Sequence, residues 1–199
     1  ELARAVDAGA AGVFVLANLA GKTLVDPLLT PIWEAIDARA LPVMLHPTTP
    51  PGMGEMEMGR LLPVVGFTFD TSLAVGRMVL DGFFDRYTDL KLIACHAGGT
   101  LPYLAGRLDL FYQKRIPPEE RKITELPSEH LRRVYYDSIT FHPLALKLLI
   151  EVGGADKVMF GTDYPHPADI PFLRGIAEDL PADQSKAVLG ENARRVFGF

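Results

Sequence analysis

One cysteine, Cys95, stands in 199 residues, so no internal disulfide can brace the chain. Such sparing cysteine use suits a reducing, cytoplasmic compartment. Long apolar runs are missing too: none approaches the roughly 20 residues that span a bilayer, and no leader segment is visible. Positive charge is in the minority, with 20 Lys and Arg against 25 Asp and Glu and a net charge of −5. That excludes a basic field for nucleic acid or an anionic membrane and leaves a small anionic ligand needing a local cationic pocket. No Gly-rich phosphate loop, nucleophile elbow, Cys-x-x-Cys pair or His-Glu-x-x-His spacing occurs, and no segment repeats another.

What is present is an ordinary globular composition, 48% hydrophobic and 23% charged, of a length that suits one domain over residues 1–199. Short apolar runs at 12–16, 42–46, 90–96, 134–138 and 157–163 read as buried parallel strands. Helical patterns alternate with them at 26–40, 73–87, 143–152 and 183–197. Asp26–Pro27 or Thr30–Pro31 starts the first of these, and Gly153–Gly154 stops the third. The alternation predicts an α/β fold with right-handed crossovers. Five βα units fall short of a (β/α)8 barrel, which takes about 250 residues. The chain also opens at Glu1 inside a helical pattern (Leu2, Ala5 and Val6 on one face) with no initiator methionine. It reads as the C-terminal part of such a barrel. Segments 47–69, rich in Pro, Gly and Met, and 103–130 break the pattern. The first is expected to be an active-site loop or lid, and the run 119–122 a solvated surface.

The chemically able residues follow the strands. His46 ends one, His96 opens the HAGG turn after another, and Asp163 sits in GTDYP after the last. Parallel α/β sheets gather ligands at their carboxyl ends, so two imidazoles and a carboxylate fall on one rim. Asp163 suits metal ligation or proton transfer; the plainer alternative is a turn or N-cap aspartate. His46 shares a face with Met44, away from Val43 and Leu45, and is a metal ligand or a hydrogen-bonded core histidine. His96 has the pKa range for acid–base work, or else bonds the turn backbone. By alternation Cys95 points away from His96, a small buried hydrophobe under a helix, which argues against a Cys–His pair. Arg107 clamps a carboxylate or stands on the surface. Asp137 orients His96 or faces the rim. His130, His142 and His166 receive no site role, although His166 lies close to Asp163.

Together LHP, HAGG and GTDYP resemble the amidohydrolase superfamily, and more narrowly its decarboxylase branch, the 2-amino-3-carboxymuconate-6-semialdehyde decarboxylase-like enzymes. The likeness covers nearly the whole chain. It includes GVFVLANLAGKTLVDPLLTPIWEAID before LPVMLHP, then DSITFHPLALKLLIEVGGADKVMFGTDYP, and the terminal LGENARRVFGF. The resemblance implies a (β/α)8 barrel holding one divalent metal ion, zinc in the first place with manganese as the alternative. His46 and Asp163 become its ligands, His96 the acid–base residue, and Arg107 a substrate-carboxylate anchor reaching a neighbouring subunit's site in a homodimer. The family's His-x-His ligand pair is absent from these residues, and its place is expected upstream. No lysine ends the first strand (Leu16, Ala17, Asn18), which favours a single metal. The activity implied is non-oxidative decarboxylation of an aromatic or unsaturated carboxylic acid, with His96 and Asp163 relaying the proton. The rivals are hydrolysis of a lactone or related ring, hydration of a double bond, or a non-catalytic binding module.

Overall fold

The runs VFVL, PVMLH, KLIA, YYD and VM form β1 (Val13–Leu16), β2 (Pro42–His46), β3 (Lys91–Ala94), β4 (Tyr135–Asp137) and β5 (Val158–Met159). They were located in a computed structural model that describes residues 1–50, 56, 60–166 and 169–199. The strands lie in sequence order in one sheet, each parallel to the next. Leu16 is in register with His46, Leu45 with Ala94, and Asp137 with Met159, so the carboxyl ends share one rim.

Between and after the strands run α1 (Leu2–Asp7), α2 (Thr30–Asp37), α3 (Phe67–Leu80), α4 (Phe83–Arg86), α5 (Leu101–Arg115), α6 (Pro127–Leu131), α7 (Pro143–Gly153), α8 (Ile170–Glu178), α9 (Ala182–Lys186) and α10 (Asn192–Phe197). Leu2, Ala5 and Val6 are indeed the half-buried residues of α1. Both predicted start signals of the first long helix are used. Asp26 Oδ1 accepts the Leu28 amide at 2.9 Å to cap a 3-10 turn, and α2 begins at Thr30 with Pro31 behind it. His142 Nδ1 accepts the Leu144 amide at 3.2 Å, so this histidine caps α7.

Several boundaries differ from the sequence pattern. A π-helical turn, Ala187–Glu191, divides 183–197 between α9 and α10. The last strand is only Val158–Met159, and α8 lies where no helix is expected from the sequence. Segment 73–87 is two helices, because Gly82 at φ 73° breaks the chain between α3 and α4, and α3 begins earlier, at Phe67. A π-helical turn, Leu62–Gly66, leads into it, so the end of segment 47–69 is helical. Residues 51–55 and 57–59 of the expected lid lie outside the described residues. Segment 103–130, which breaks the sequence pattern, holds most of α5, and α6. Leu101, Ala105 and Tyr112 are the buried stripe of α5, but exposed Tyr103, Leu110 and Phe111 on its other faces blur the periodicity. The run 119–122 is largely exposed, as expected.

Alternation then divides the sheet. Val43, Leu45, Leu92, Ala94, Tyr136 and Val158 enter the main core beneath the helices. There Trp33 meets Phe83 edge to face at 5.1 Å and donates its indole N–H to the Leu24 carbonyl at 2.9 Å. Such an aromatic pair adds about 0.5–1.5 kcal/mol beyond its buried area. Phe14, Met44 and Ile93 lie on the other face, which in a closed barrel is the packed interior. There α10 packs Val196, Ala193 and Phe197 close to Ile93 and Met159.

Candidate metal and proton-transfer site

β2 delivers His46 to the rim with its ring already oriented. Nδ1 lies 2.8 Å from the Pro47 carbonyl oxygen, which can only accept, so Nδ1 carries the proton and Nε2 presents its lone pair. Phe14 stacks on the ring at a centroid distance of 5.7 Å, and Phe67 meets its edge at 6.4 Å. A backbone carbonyl fixing the tautomer is the usual support of a metal-bound imidazole.

His96 follows β3 by a sharper route. It and Ala97 both adopt left-handed backbone, at φ 54° and 56°, before Gly98 and Gly99 complete the turn. No other residue type fits at Gly99: a Cβ there would lie 2.1 Å from the Thr68 carbonyl oxygen of α3. The buried Asp137 carboxylate at the end of β4 holds this turn. Its Oδ2 accepts the His96 amide at 2.8 Å, and Oδ1 accepts those of Ala97 at 2.9 Å and Ile139 at 3.0 Å. Burial pushes the Asp137 pKa up, opposed by the nearby His96 and by these amides. Asp137 thus holds His96 through the main chain, and it also lines a cavity at the rim.

Asp163 comes off β5 by way of Gly161, whose missing Cβ would sit 3.0 Å from the Asp137 Cβ. At φ 58° Asp163 is itself left-handed. Its Oδ1 lies 3.5 Å from His46 Nε2 and its Oδ2 3.6 Å from His96 Nε2. One ligand atom from each of the three residues falls within 4.8 Å of the others. Donors about 2.1 Å from one ion, at tetrahedral or octahedral angles, stand about 3.0–3.4 Å from each other. The two spacings to Asp163, 3.5 and 3.6 Å, lie just beyond that range. The three are also chemically a mixed N/O set suited to a divalent ion, and buried His96 Nδ1 has no hydrogen-bond partner among the described residues.

The remaining predicted residues are placed differently. Arg107 stands exposed on α5 with its guanidinium 4.7 Å from the centre of the Phe111 ring, and it lines neither cavity at the rim. Cys95 is buried, but it lies on the same face as Ile93, lining a cavity of about 440 Å3 with Asp137 and Met159. Its expected face is therefore corrected. The left-handed turn at His96 ends strand alternation, so the two neighbours need not point oppositely. Burial, with the Asp137 and Asp163 charges, pushes the Cys95 thiol pKa up, against formation of a thiolate. His130 is fully buried away from the site in α6. His166 lines both rim cavities.

Two features escaped the sequence. Buried Asp70 in α3 accepts the Asn18 side-chain amide at 3.0 Å and the Thr48 main-chain amide at 2.9 Å, tying the segments after β1 and β2 together. Its signal was a carboxylate in the apolar stretch FTFDTSLAV. A larger cavity of about 940 Å3 opens above the strand ends, walled by Phe67, Phe141 and Tyr103 and reached by Arg60.

A family model described as Amidohydrolase matches residues 1–199. The chain is 34% identical to 2-amino-3-carboxymuconate-6-semialdehyde decarboxylase of Dictyostelium discoideum, over all of this chain and 56% of that protein. It is 31% identical to 6-methylsalicylic acid decarboxylase of Penicillium expansum, over 84% of this chain and 53% of that one. Among solved structures it resembles 5-carboxyvanillate decarboxylase of Novosphingobium aromaticivorans complexed with manganese and 4-hydroxy-3-methoxy-5-nitrobenzoic acid. That match has a TM-score of 0.88 at 28% identity and covers 98% of this chain and 58% of the other. The chain spans about half the length of the curated relatives it matches.

Proposed function

The chain belongs to the amidohydrolase family, and on that premise we propose that it serves metal-dependent, non-oxidative decarboxylation of an aromatic or unsaturated carboxylic acid. The observation that carries this reading is the convergence of His46 Nε2 and His96 Nε2 on the two oxygens of Asp163 at the strand ends. The names of the relatives agree with it, all three describing decarboxylases.

His46 and Asp163 would hold one divalent ion, zinc or manganese. Bound there, the ion supplies Lewis acidity toward the oxygens of the substrate. His96 lies beside it with Nε2 aimed at the rim. As the bond between the substrate's reacting carbon and its carboxylate carbon breaks, the electron pair stays on the reacting carbon and CO2 leaves. A proton from His96 Nε2 takes that pair, and His96 regains its proton from solvent by way of Asp163 Oδ2, 3.6 Å away. The balance is one carboxylate and one proton consumed, one C–H bond and one CO2 formed. Phe67, Phe141 and Tyr103 supply the aromatic wall against which the substrate would lie. A homodimer in the cytoplasm, with Arg107 of one copy anchoring an anionic group of the substrate in the other, completes the proposal and accounts for an arginine that lines neither rim cavity of its own chain.

The test is CO2 release by the intact, metal-loaded protein offered salicylate, other hydroxybenzoates and aromatic lactones. Release from at least one acid is expected. Ring opening of a lactone with no CO2 from any acid would overturn the reading.

A further inference from the structure

Backbone strain in this molecule is gathered in one place. Seven non-glycine residues have left-handed φ among the described residues, and five of them, Arg60, His96, Ala97, Phe141 and Asp163, line the larger rim cavity. Strained backbone persists where the surrounding structure enforces it and concentrates at functional sites. Two of the five are the residues to which chemistry has been assigned. Arg60, at φ 57°, is the one with unassigned charge.

The charge inventory of the cavity points the same way. The chain carries 25 Asp and Glu against 20 Lys and Arg, yet the described lining of this cavity holds one carboxylate, Asp163, and one permanent cation, Arg60. With Asp163 committed to His46 and His96, the field left for a ligand is positive. A guanidinium matches a carboxylate bidentately. It would be badly spent on the carboxylate that leaves, because gripping that charge stabilises the ground state more than the transition state and slows the reaction. It suits an anionic group whose charge survives the reaction.

We propose that Arg60 is the specificity-determining residue of this cavity, holding a second carboxylate of the substrate while the first is lost at His96. The substrate class is then a hydroxylated aromatic or unsaturated dicarboxylate, an inference that rests on the decarboxylase reading above.

Binding of salicylate, 4-hydroxyisophthalate and 2-hydroxyterephthalate to the intact, metal-loaded protein tests this, by calorimetry alongside CO2 release. The two dicarboxylates add a second carboxylate at different ring positions. At least one is expected to bind about 10- to 100-fold more tightly than salicylate, the range of a charge-assisted pair. Arg60→Gln should remove most of that preference, and Arg60→Lys should keep part of it. Salicylate affinity in each variant reports whether the cavity is intact. The proposal falls if the wild type has no preference for either dicarboxylate, if R60Q retains it, or if R60Q weakens all three acids in proportion. A preference abolished by R60Q without CO2 release would sustain Arg60 and remove the decarboxylase reading. CO2 release with a preference unaffected by R60Q would do the reverse.

Discussion

Asp137 holds His96 by its main chain and leaves the ring free. Its Oδ2 accepts the His96 amide at 2.8 Å, while its Oδ1 serves the next residue, Ala97, at 2.9 Å. Bonded to the amides, Asp137 fixes where the ring stands, while Nε2 lies 3.6 Å from Asp163 Oδ2.

Asp137→Asn replaces one accepting oxygen by an NH2 group that faces amide donors. Loss of such a buried acceptor costs about 1–3 kcal/mol, to be read by urea denaturation. In the intact enzyme kcat should fall more than KM changes, since the substrate-binding walls are untouched while the His96 turn loosens. A variant with wild-type stability and kcat would show that the three amides do not need this carboxylate.

Metal content separates the roles of the three rim residues. His46→Ala and Asp163→Asn should lower bound metal well below about one equivalent per chain in the intact protein. His96→Asn should keep the metal and lose about 10²–10⁴ in turnover, the contribution of one positioned acid–base group. Loss of metal in the His96 variant would make His96 a ligand instead.

Gly99→Ala places a methyl group 2.1 Å from the Thr68 carbonyl at φ 65°. Neither the main chain of α3 nor the turn can yield without moving His96, so a loss of about 3 kcal/mol or more is expected in denaturation. A smaller loss would mean that the turn and α3 are not rigidly packed.

Acid stability should depend on His130, which is fully buried with both ring nitrogens lacking hydrogen bonds among the described residues. Burial is the main cause of its lowered pKa. The neighbouring Asp85 carboxylate opposes the shift, Arg133 adds to it, and Glu125 opposes it. The folded protein therefore refuses a proton that the unfolded chain accepts near its ordinary value of about 6.5. Stability from this residue is complete above that pH and declines as pH falls from there toward the folded value. Replacing His130 with Leu should flatten the loss between about pH 6.5 and 5, measured as the denaturation midpoint against pH. An unchanged slope would assign the acid sensitivity to the carboxylates.

Much of the site was legible because strand ends announce themselves. An apolar run followed by His46-Pro47, by His96 before two glycines, or by Asp163 before Tyr164-Pro165 is a local pattern. Where side chains were expected to alternate within a strand, as with Met44 and His46 against Val43 and Leu45, they do. The reading failed where periodicity was interrupted or diluted. The left-handed turn at His96 cancelled the alternation that placed Cys95, and exposed aromatics hid α5 inside a segment that broke the pattern.

By itself the sequence determined the βα alternation, the parallel sense of the strands and the three residues at their ends, since each of these follows from the spacing of neighbouring residues. Only the tertiary structure decided that His46, His96 and Asp163 meet within 4.8 Å, that Asp137 grips amides, and that Arg60 and Phe141 reach the same cavity. Those relations join residues tens of positions apart. They depend on how helices pack the sheet and how turns bend beyond it, and no local pattern in the chain encodes that distance.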